Sequence, residues 1–208
     1  EELRSALKKP EEVASFFSLN PEELSQNYTQ LIPRSFAKRI KNSQALRAQF
    51  ISNKQEDELQ GLKDPIGDHQ HFKAPQLIHR YPNRVLWAPT EHCPIECRYC
   101  FRKNELKAGD EIFRPKLQQT LDYIKSHPEI NEVILTGGDP LILADSKIES
   151  ILESLSLIPH IKFVRFHTRT PVILPERLTP ELLTIIEAYA EKLCLTFVLH
   201  TNHPDELS

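Results

Sequence analysis

The sequence predicts an α/β protein: a parallel sheet built from βα units and preceded by a small helical region. Three observations predict it. From residue 85 onward, short apolar runs of strand length alternate with amphipathic helical stretches. Residues 1–60 carry helix-start signals and apolar residues at helical spacing instead. Each strand candidate leads into a turn and then a helix, so four such units make half of a (β/α)8 barrel.

The elements follow in chain order. Pro10-Glu11-Glu12 starts a helix with Val13, Phe16 and Phe17 on one face. Asn20 before Pro21-Glu22-Glu23 repeats the signal as an N-cap. Ser35–Phe50 reads as a third helix with Phe36, Ile40, Leu46 and Phe50 as its apolar points. Residues 61–80 read as loop, punctuated by Gly61, Asp64-Pro65, Gly67-Asp68 and Ala74-Pro75. Strands are expected at Val85–Ala88, Glu132–Thr136, Ile161–Phe166 and Cys194–Leu199, with helices at Pro115–Ser126, Ser146–Leu157 and after Thr179-Pro180. This divides the chain into a helical N-terminal region and linker, 1–75, and a partial barrel, 76–208. The last strand would leave an open edge, so the remaining barrel strands are expected beyond residue 208.

Bulk composition excludes several classes. Twenty-six Lys and Arg against 29 Asp and Glu give a net charge of −3, which offers no basic surface for nucleic acid. The longest apolar runs fall far short of a membrane span. No secretory signal is evident from Glu1 onward, so a cytoplasmic location is expected. The chain contains no methionine. Three of its four cysteines fall within eight positions, which is metal-site spacing rather than a disulfide framework.

Those three stand in His92-Cys93-Pro94-Ile95-Glu96-Cys97-Arg98-Tyr99-Cys100, directly after the first expected barrel strand. A loop there lies on the face where (β/α) barrels do chemistry. Spacing C-x3-C-x2-C brings Cys93, Cys97 and Cys100 to one small volume. Three thiolates leave one iron of a [4Fe–4S] cluster without a protein ligand, and that iron can chelate the amino and carboxylate groups of S-adenosylmethionine. Zinc held by the three cysteines and a histidine such as His92 is the competing reading, and inert buried thiols are a third. Tyr99 favours the cluster, since its ring can pack on an adenine; the plain reading of Tyr99 is core packing. Cys194 falls in an apolar strand and reads as a small buried hydrophobe.

Leu135-Thr136-Gly137-Gly138-Asp139-Pro140 closes the second barrel strand. Paired glycines there let backbone approach a ligand closely. Alone the turn is weak evidence, but next to the cysteine loop it gains weight.

Cysteine spacing, Tyr99 and the Gly137-Gly138-Asp139 turn together resemble the radical S-adenosylmethionine superfamily. Within it, His79-Arg80-Tyr81-Pro82-Asn83-Arg84-Val85-Leu86 is similar to the lysine 2,3-aminomutase family. So are Cys97–Arg102, Arg169-Thr170-Pro171-Val172 with Pro175, and His200-Thr201-Asn202-His203-Pro204. These strings cover most of residues 75–206. Ile32-Pro33-Arg34-Ser35-Phe36 resembles the shorter branch, which includes the enzyme that makes β-lysine on elongation factor P.

The resemblance implies a partial barrel of the radical-SAM type. It implies an isomerase that moves the α-amino group of L-lysine to the β-carbon through a 5′-deoxyadenosyl radical. The cofactors would be a [4Fe–4S] cluster, S-adenosylmethionine and pyridoxal 5′-phosphate. Arg80, Tyr81 and Arg84 would hold the pyridoxal phosphate; their plain reading is two surface charges and a packed ring. Arg102 would pair with the substrate carboxylate. Arg169 and His200, with the glycine turn, would contact S-adenosylmethionine. Arg98 and Lys103 read as cluster-side or surface charges. The family's pyridoxal-binding lysine and side-chain-reading acids lie in a C-terminal part that cannot be placed on residues 1–208. Expected partners are a small amino-acid substrate and an external one-electron reductant, with no nucleic acid and no membrane; a homo-oligomer stays open. The other readings are a β-lysine-forming enzyme for elongation factor P, a zinc-binding structural module, and a cluster-free scaffold.

Overall fold

A computed structural model describes residues 2–58, 61–62, 64–103 and 113–207, without the side chains of 113–116. One sheet orders its strands β1-β2-β3-β4-β5-β6. They are β1 (Phe72–Ala74), β2 (Leu77–Tyr81), β3 (Arg84–Thr90), β4 (Glu132–Gly137), β5 (Phe163–Thr168) and β6 (Cys194–Leu199). Strands β3 to β6 are parallel, as the βα pattern requires. Helices α4 (Phe113–Lys125), α5 (Asp145–Ser156) and α7 (Pro180–Ala190) connect them, and a short α6 (Thr170–Ile173) follows β5. The architecture is a partial (β/α) barrel.

Side-chain alternation assigns the two sheet faces. Val85, Val133, Val164 and Leu195 are in register, as are Trp87, Leu135, Phe166 and Phe197. This face packs on Leu121 and Ile124 of α4, on Ile148, Ile151, Leu152 and Leu155 of α5, and on Leu182 of α7. Each buried aliphatic contributes about 1.5–3 kcal/mol, so this layer carries the barrel's stability. Thr179 caps α7 by accepting the Leu182 N–H at 3.3 Å, as its sequence position foretold. The opposite face carries Leu86, Ile134, Arg165 and Thr196 in register.

Residues 61–80, expected to be loop, instead hold β1 and β2, which add two antiparallel strands to the edge of β3. The chain reverses between them through Gln76 at φ 59°. The single helix expected over 35–50 is two, α2 (Arg34–Asn42) and α3 (Gln44–Phe50). Ser43 breaks it: its extended backbone ends α2 and its Oγ caps α3 by accepting the Leu46 N–H at 3.3 Å. Asn20 caps as expected but starts only a 3-10 turn, Pro21–Glu23.

The N-terminal helices, α1 (Pro10–Phe17), α2 and α3, form a second core from Val13, Phe17, Ile32, Phe36, Ile40, Leu46 and Phe50. Ile95, Val172, Ile173 and Leu174 belong to that core. The N-terminal region therefore packs on the cysteine loop and on the segment after β5.

Candidate active site at the ends of the parallel strands

The cysteine loop leaves the end of β3 and is held from both sides. On the barrel side, Thr90 O accepts the Gly138 N–H at 2.9 Å and His92 O accepts the Asp139 N–H at 2.7 Å. A Cβ on Gly138 would lie 2.2 Å from His92 O, and one on Gly137, at φ +95°, 2.2 Å from the Ala88 Cβ. Both glycines thus serve the close approach of β4 to the cysteine loop. This corrects the expected use of their backbone for a ligand in one respect: the Gly138 N–H is already taken by protein.

On the N-terminal side, Ile95 is buried in the helical core. The Glu96 N–H donates to Leu31 O at 3.1 Å and the Arg98 N–H to Gln49 O at 2.8 Å. Arg98, expected to be a cluster-side or surface charge, is buried on the cysteine loop and makes a two-pronged pair with Glu56, at 3.0 and 2.6 Å, so it anchors the loop and is not a surface charge. Burial opposes ionisation of Glu56, but Arg98's hydrogen bonds and charge outweigh it and hold the carboxyl below its ordinary range. Lys103 joins Glu56 at 3.2 Å.

A cavity of about 450 Å³ opens at this end of the sheet. It brings together Cys93, Cys97, Tyr99, Cys100, Arg102, Gly137, Gly138, Asp139, Arg169 and His200, ten of the sequence-derived site residues. A second cavity, of about 420 Å³, shares the three cysteines and is lined by N-terminal residues including Tyr28 and Thr29. None of the three is in a disulfide, and all are partly buried. Burial first, then the neighbouring negative groups, pushes Cys93 well above its ordinary value; burial also raises Cys97, against the opposing charge of Arg169. Bound iron would displace those protons. Among the described residues no three His, Cys, Asp or Glu side chains are grouped to hold a single ion. A cluster takes each thiolate on a different iron, so its sulfurs stand further apart than zinc ligands do.

Asp139 is buried and fully engaged. Its Oδ1 accepts from Leu141 N–H (3.1 Å) and the Thr168 hydroxyl (2.7 Å), and its Oδ2 from the N–H groups of Arg169 (2.7 Å) and Thr170 (2.9 Å). It ties the end of β4 to the end of β5 and so aims Arg169. The Arg169 guanidinium donates to Cys97 Sγ at 3.3 Å, to Gln49 Oε1 at 2.9 Å, to Tyr99 Oη, and to Glu206 Oε2 at 2.7 Å. Desolvation opposes its charge, but Cys97 and Tyr99 outweigh that and raise its pKa. Tyr99 is half-exposed, its hydroxyl pushed up to about 12 by burial and by Cys97. Its ring meets His200 edge-on at 5.8 Å.

Sequence reasoning missed several residues here. Glu206 has no exposed surface and accepts from Gln49 (3.0 Å), Asn202 N–H (3.1 Å) and His203 N–H (3.2 Å) besides Arg169. On the wall of the 450 Å³ cavity, His167 has a buried Nε2 with no hydrogen-bond partner. Burial, with help from Arg165, lowers its pKa, which favours the neutral ring. Alternation in Val164-Arg165-Phe166-His167 was the available signal. Cys194, expected to be buried, is exposed at the start of the edge strand β6.

Arg80, Tyr81 and Arg84 do not line that cavity. They flank the β2–β3 turn, at the other end of β3 from the cysteines. Arg84 stacks over the Tyr81 ring at 5.4 Å and lies 3.7 Å from Glu132, which Arg165 also engages. Arg80 donates to Asp68 at 3.2 Å and to Ile66 O at 2.6 Å. Asp68 in turn accepts from Arg102 at 2.5 Å. Arg102 is buried, with its guanidinium 4.9 Å from the Phe101 ring centre.

Comparison with known proteins agrees with this geometry. The profile of the radical SAM superfamily matches residues 87–206. The chain is 37% identical over 148 residues to the L-lysine 2,3-aminomutase of Fusobacterium nucleatum, covering 71% of this chain and 34% of that protein. It is 38% identical over 148 residues to the L-lysine 2,3-aminomutase of Clostridium subterminale, covering 71% and 35%. The L-lysine 2,3-aminomutase of Escherichia coli is 32% identical over 219 residues, covering 99% of this chain and 63% of that protein. The chain thus spans from about a third to under two thirds of the length of these relatives. Among the described residues no helix is long and apolar enough to cross a membrane. With the profile running from β3 through the cysteine loop to Glu206, the chain belongs to the radical SAM superfamily.

Proposed function

We propose that the protein is a pyridoxal-phosphate-dependent radical SAM aminomutase that converts L-lysine to β-lysine. The observation that carries this reading is the cavity where the three cysteines of the loop meet Arg102 and Arg169. When bound, the cluster and S-adenosylmethionine supply the radical, and pyridoxal phosphate supplies the π system that accepts the substrate carbon radical and lets the nitrogen migrate. The chain's own residues bind and orient. Cys93, Cys97 and Cys100 would hold the cluster through three of its irons. Arg169, fixed by Asp139 and Glu206, presents its charge beside Cys97, where it would favour an anionic group of the bound cofactor. Tyr99 and His200 offer ring faces to an adenine. Arg102 offers a fork for the substrate carboxylate.

The test is turnover. Full-length protein, reduced anaerobically with S-adenosylmethionine and pyridoxal phosphate, should form β-lysine from L-lysine. S-adenosylmethionine cleavage without β-lysine would overturn the free-lysine assignment. One observation favours a second substrate: Ile32–Phe36 resembles the elongation factor P branch, and its Ile32 and Phe36 are built into the N-terminal core. On that reading the protein ignores free lysine and serves elongation factor P modification.

The phosphate assignment carries its own prediction. Arg84→Ala should weaken pyridoxal phosphate binding roughly ten- to a hundred-fold, the cost of one charge-assisted pair of about 1.5–3 kcal/mol, without changing iron content. Absorbance titration of the cofactor measures it. Unchanged affinity would make Arg84 only the counter-ion of Glu132.

A further inference from the structure

Arg80 and Arg102 are given separate tasks above, one at a phosphate and one at a carboxylate, and they come from separate elements. Arg80 lies on β2 and Arg102 follows the cysteine loop at the opposite end of β3. Yet one carboxylate touches both. Asp68 is 4% exposed; its Oδ1 accepts from Arg80 Nη2 at 3.2 Å and its Oδ2 from Arg102 Nη2 at 2.5 Å. The loop that carries it is itself fixed. The Asp68 N–H donates to Asp64 Oδ1 at 2.9 Å, and the His69 N–H to Asp64 Oδ2 at 2.9 Å. Arg80 Nη2 also reaches Ile66 O at 2.6 Å. Gly67, at φ +71°, makes the turn that an L side chain would strain.

A buried carboxylate between two guanidinium groups is costly to desolvate and must be repaid by good geometry. An acid here also reduces the positive potential that two anion-binding arginines need. Its presence is therefore unhelpful to anion binding unless it fixes where the arginines stand. We propose that Asp68 is a positioning residue that clasps Arg80 and Arg102 at a fixed separation, so that the phosphate of pyridoxal phosphate and the carboxylate of the amino acid are bound in register. This rests on the proposed function, because it takes the arginine tasks from that reading. Through Asp68, binding at one arginine favours the geometry of the other, a coupling that is reciprocal by linkage.

The experiment is a double-mutant cycle on the full-length protein, read by pyridoxal phosphate affinity from absorbance and by the KM for lysine. Asp68→Asn keeps the shape and removes the charge. It is expected to weaken pyridoxal phosphate about tenfold and to raise the lysine KM by about tenfold, each the loss of one charge-assisted bond. Iron content should be near wild type, while the melting temperature falls somewhat, as it does when a charge is removed from a buried pair. In an Arg80→Ala background the same change should alter cofactor affinity by less than about twofold, because the group it positions is gone. A merely structural role would weaken binding equally in both backgrounds. If Asp68→Asn folds poorly, Asp68→Glu keeps the charge and shifts the carboxylate by one methylene; it should still weaken the cofactor by at least about threefold. The proposal is overturned if the folded variant binds the cofactor as wild type does. It is also overturned if it binds more tightly, which would make Asp68 a counter-charge, or if the losses simply add. Wild-type protein that binds no pyridoxal phosphate overturns the proposed function and takes this inference with it. Wild-type binding with an unaffected variant overturns this inference alone.

Discussion

Glu206→Ala is expected to destabilise the protein by about 3–5 kcal/mol, because it strands a buried cation. Arg169 and Glu206 expose 6% and 0% of their side chains and meet at 2.7 Å. Their pair joins three parts of the molecule. Glu206 follows β6, Arg169 follows β5, and Gln49 of α3 bonds to both. Losing the carboxylate also frees the N–H groups of Asn202 and His203 and removes the anchor that aims Arg169 at Cys97. Glu206→Gln keeps the size and one acceptor and should lose less, about 1.5–3 kcal/mol. Denaturant melts of the two variants measure both. A loss below about 1 kcal/mol for the alanine variant would mean that water reaches Arg169 and the pair is a surface one. The pair also predicts a pH dependence. Burial opposes ionisation of Glu206, but the Asn202 N–H, Gln49 and Arg169 outweigh it and hold its pKa below the ordinary 4.5. A depressed carboxylate gives its full stabilisation above the ordinary value and loses it as pH falls toward the folded value. Wild type should therefore lose more stability below pH 4.5 than Glu206→Ala does.

Cys97→Ala is expected to abolish iron binding, since two thiolates cannot hold a [4Fe–4S] core against loss of iron. Cys97 is the central thiol of the three. It packs against the N-terminal core and is the one that accepts a hydrogen bond from Arg169. Removing it takes away one ligand and leaves the Arg169 charge without that acceptor. Cys194→Ala is the control: Cys194 is exposed on the edge strand, away from the cysteine loop, and its loss should leave iron content at the wild-type level. Iron analysis of both anaerobically purified variants decides this. Equal loss in both, or retention in Cys97→Ala, would contradict the ligand assignment.

What the sequence revealed and what it hid differ in range. The four parallel strands were legible because each is a short apolar run on a half-buried or buried pleat, and Val85, Val133, Val164 and Leu195 stand in register as such runs should. The cysteine loop and the glycine turn were legible because their chemistry is local in the chain. The β1–β2 hairpin was not. Phe72–Ala74 is largely exposed, and its neighbours Pro75 and Gln76 look like any loop. Helix continuity over 35–50 was overread, because Ser43 fits a helix by apolar spacing while its hydroxyl prefers to cap the next one. Long-range acids were the least visible. Glu56, Asp68 and Glu206 sit in or beside short polar 3-10 turns and resemble solvated charges, yet each ends buried or half-buried against an arginine distant in sequence. Periodicity carries no information about such partners, so the sequence leaves Arg98 a cluster-side or surface charge and hides the ties of Arg102 and Arg169.

Every role proposed for this site requires that Cys93, Cys97 and Cys100 hold a [4Fe–4S] cluster with one iron open to S-adenosylmethionine. Metal and sulfide analysis of anaerobically purified full-length protein, joined to electron paramagnetic resonance of the reduced form, tests it most directly. The expected result is about four irons and four acid-labile sulfides per chain, and a spectrum that changes when S-adenosylmethionine is added. Stoichiometric zinc without sulfide, or a cluster signal that S-adenosylmethionine leaves unchanged, would contradict it.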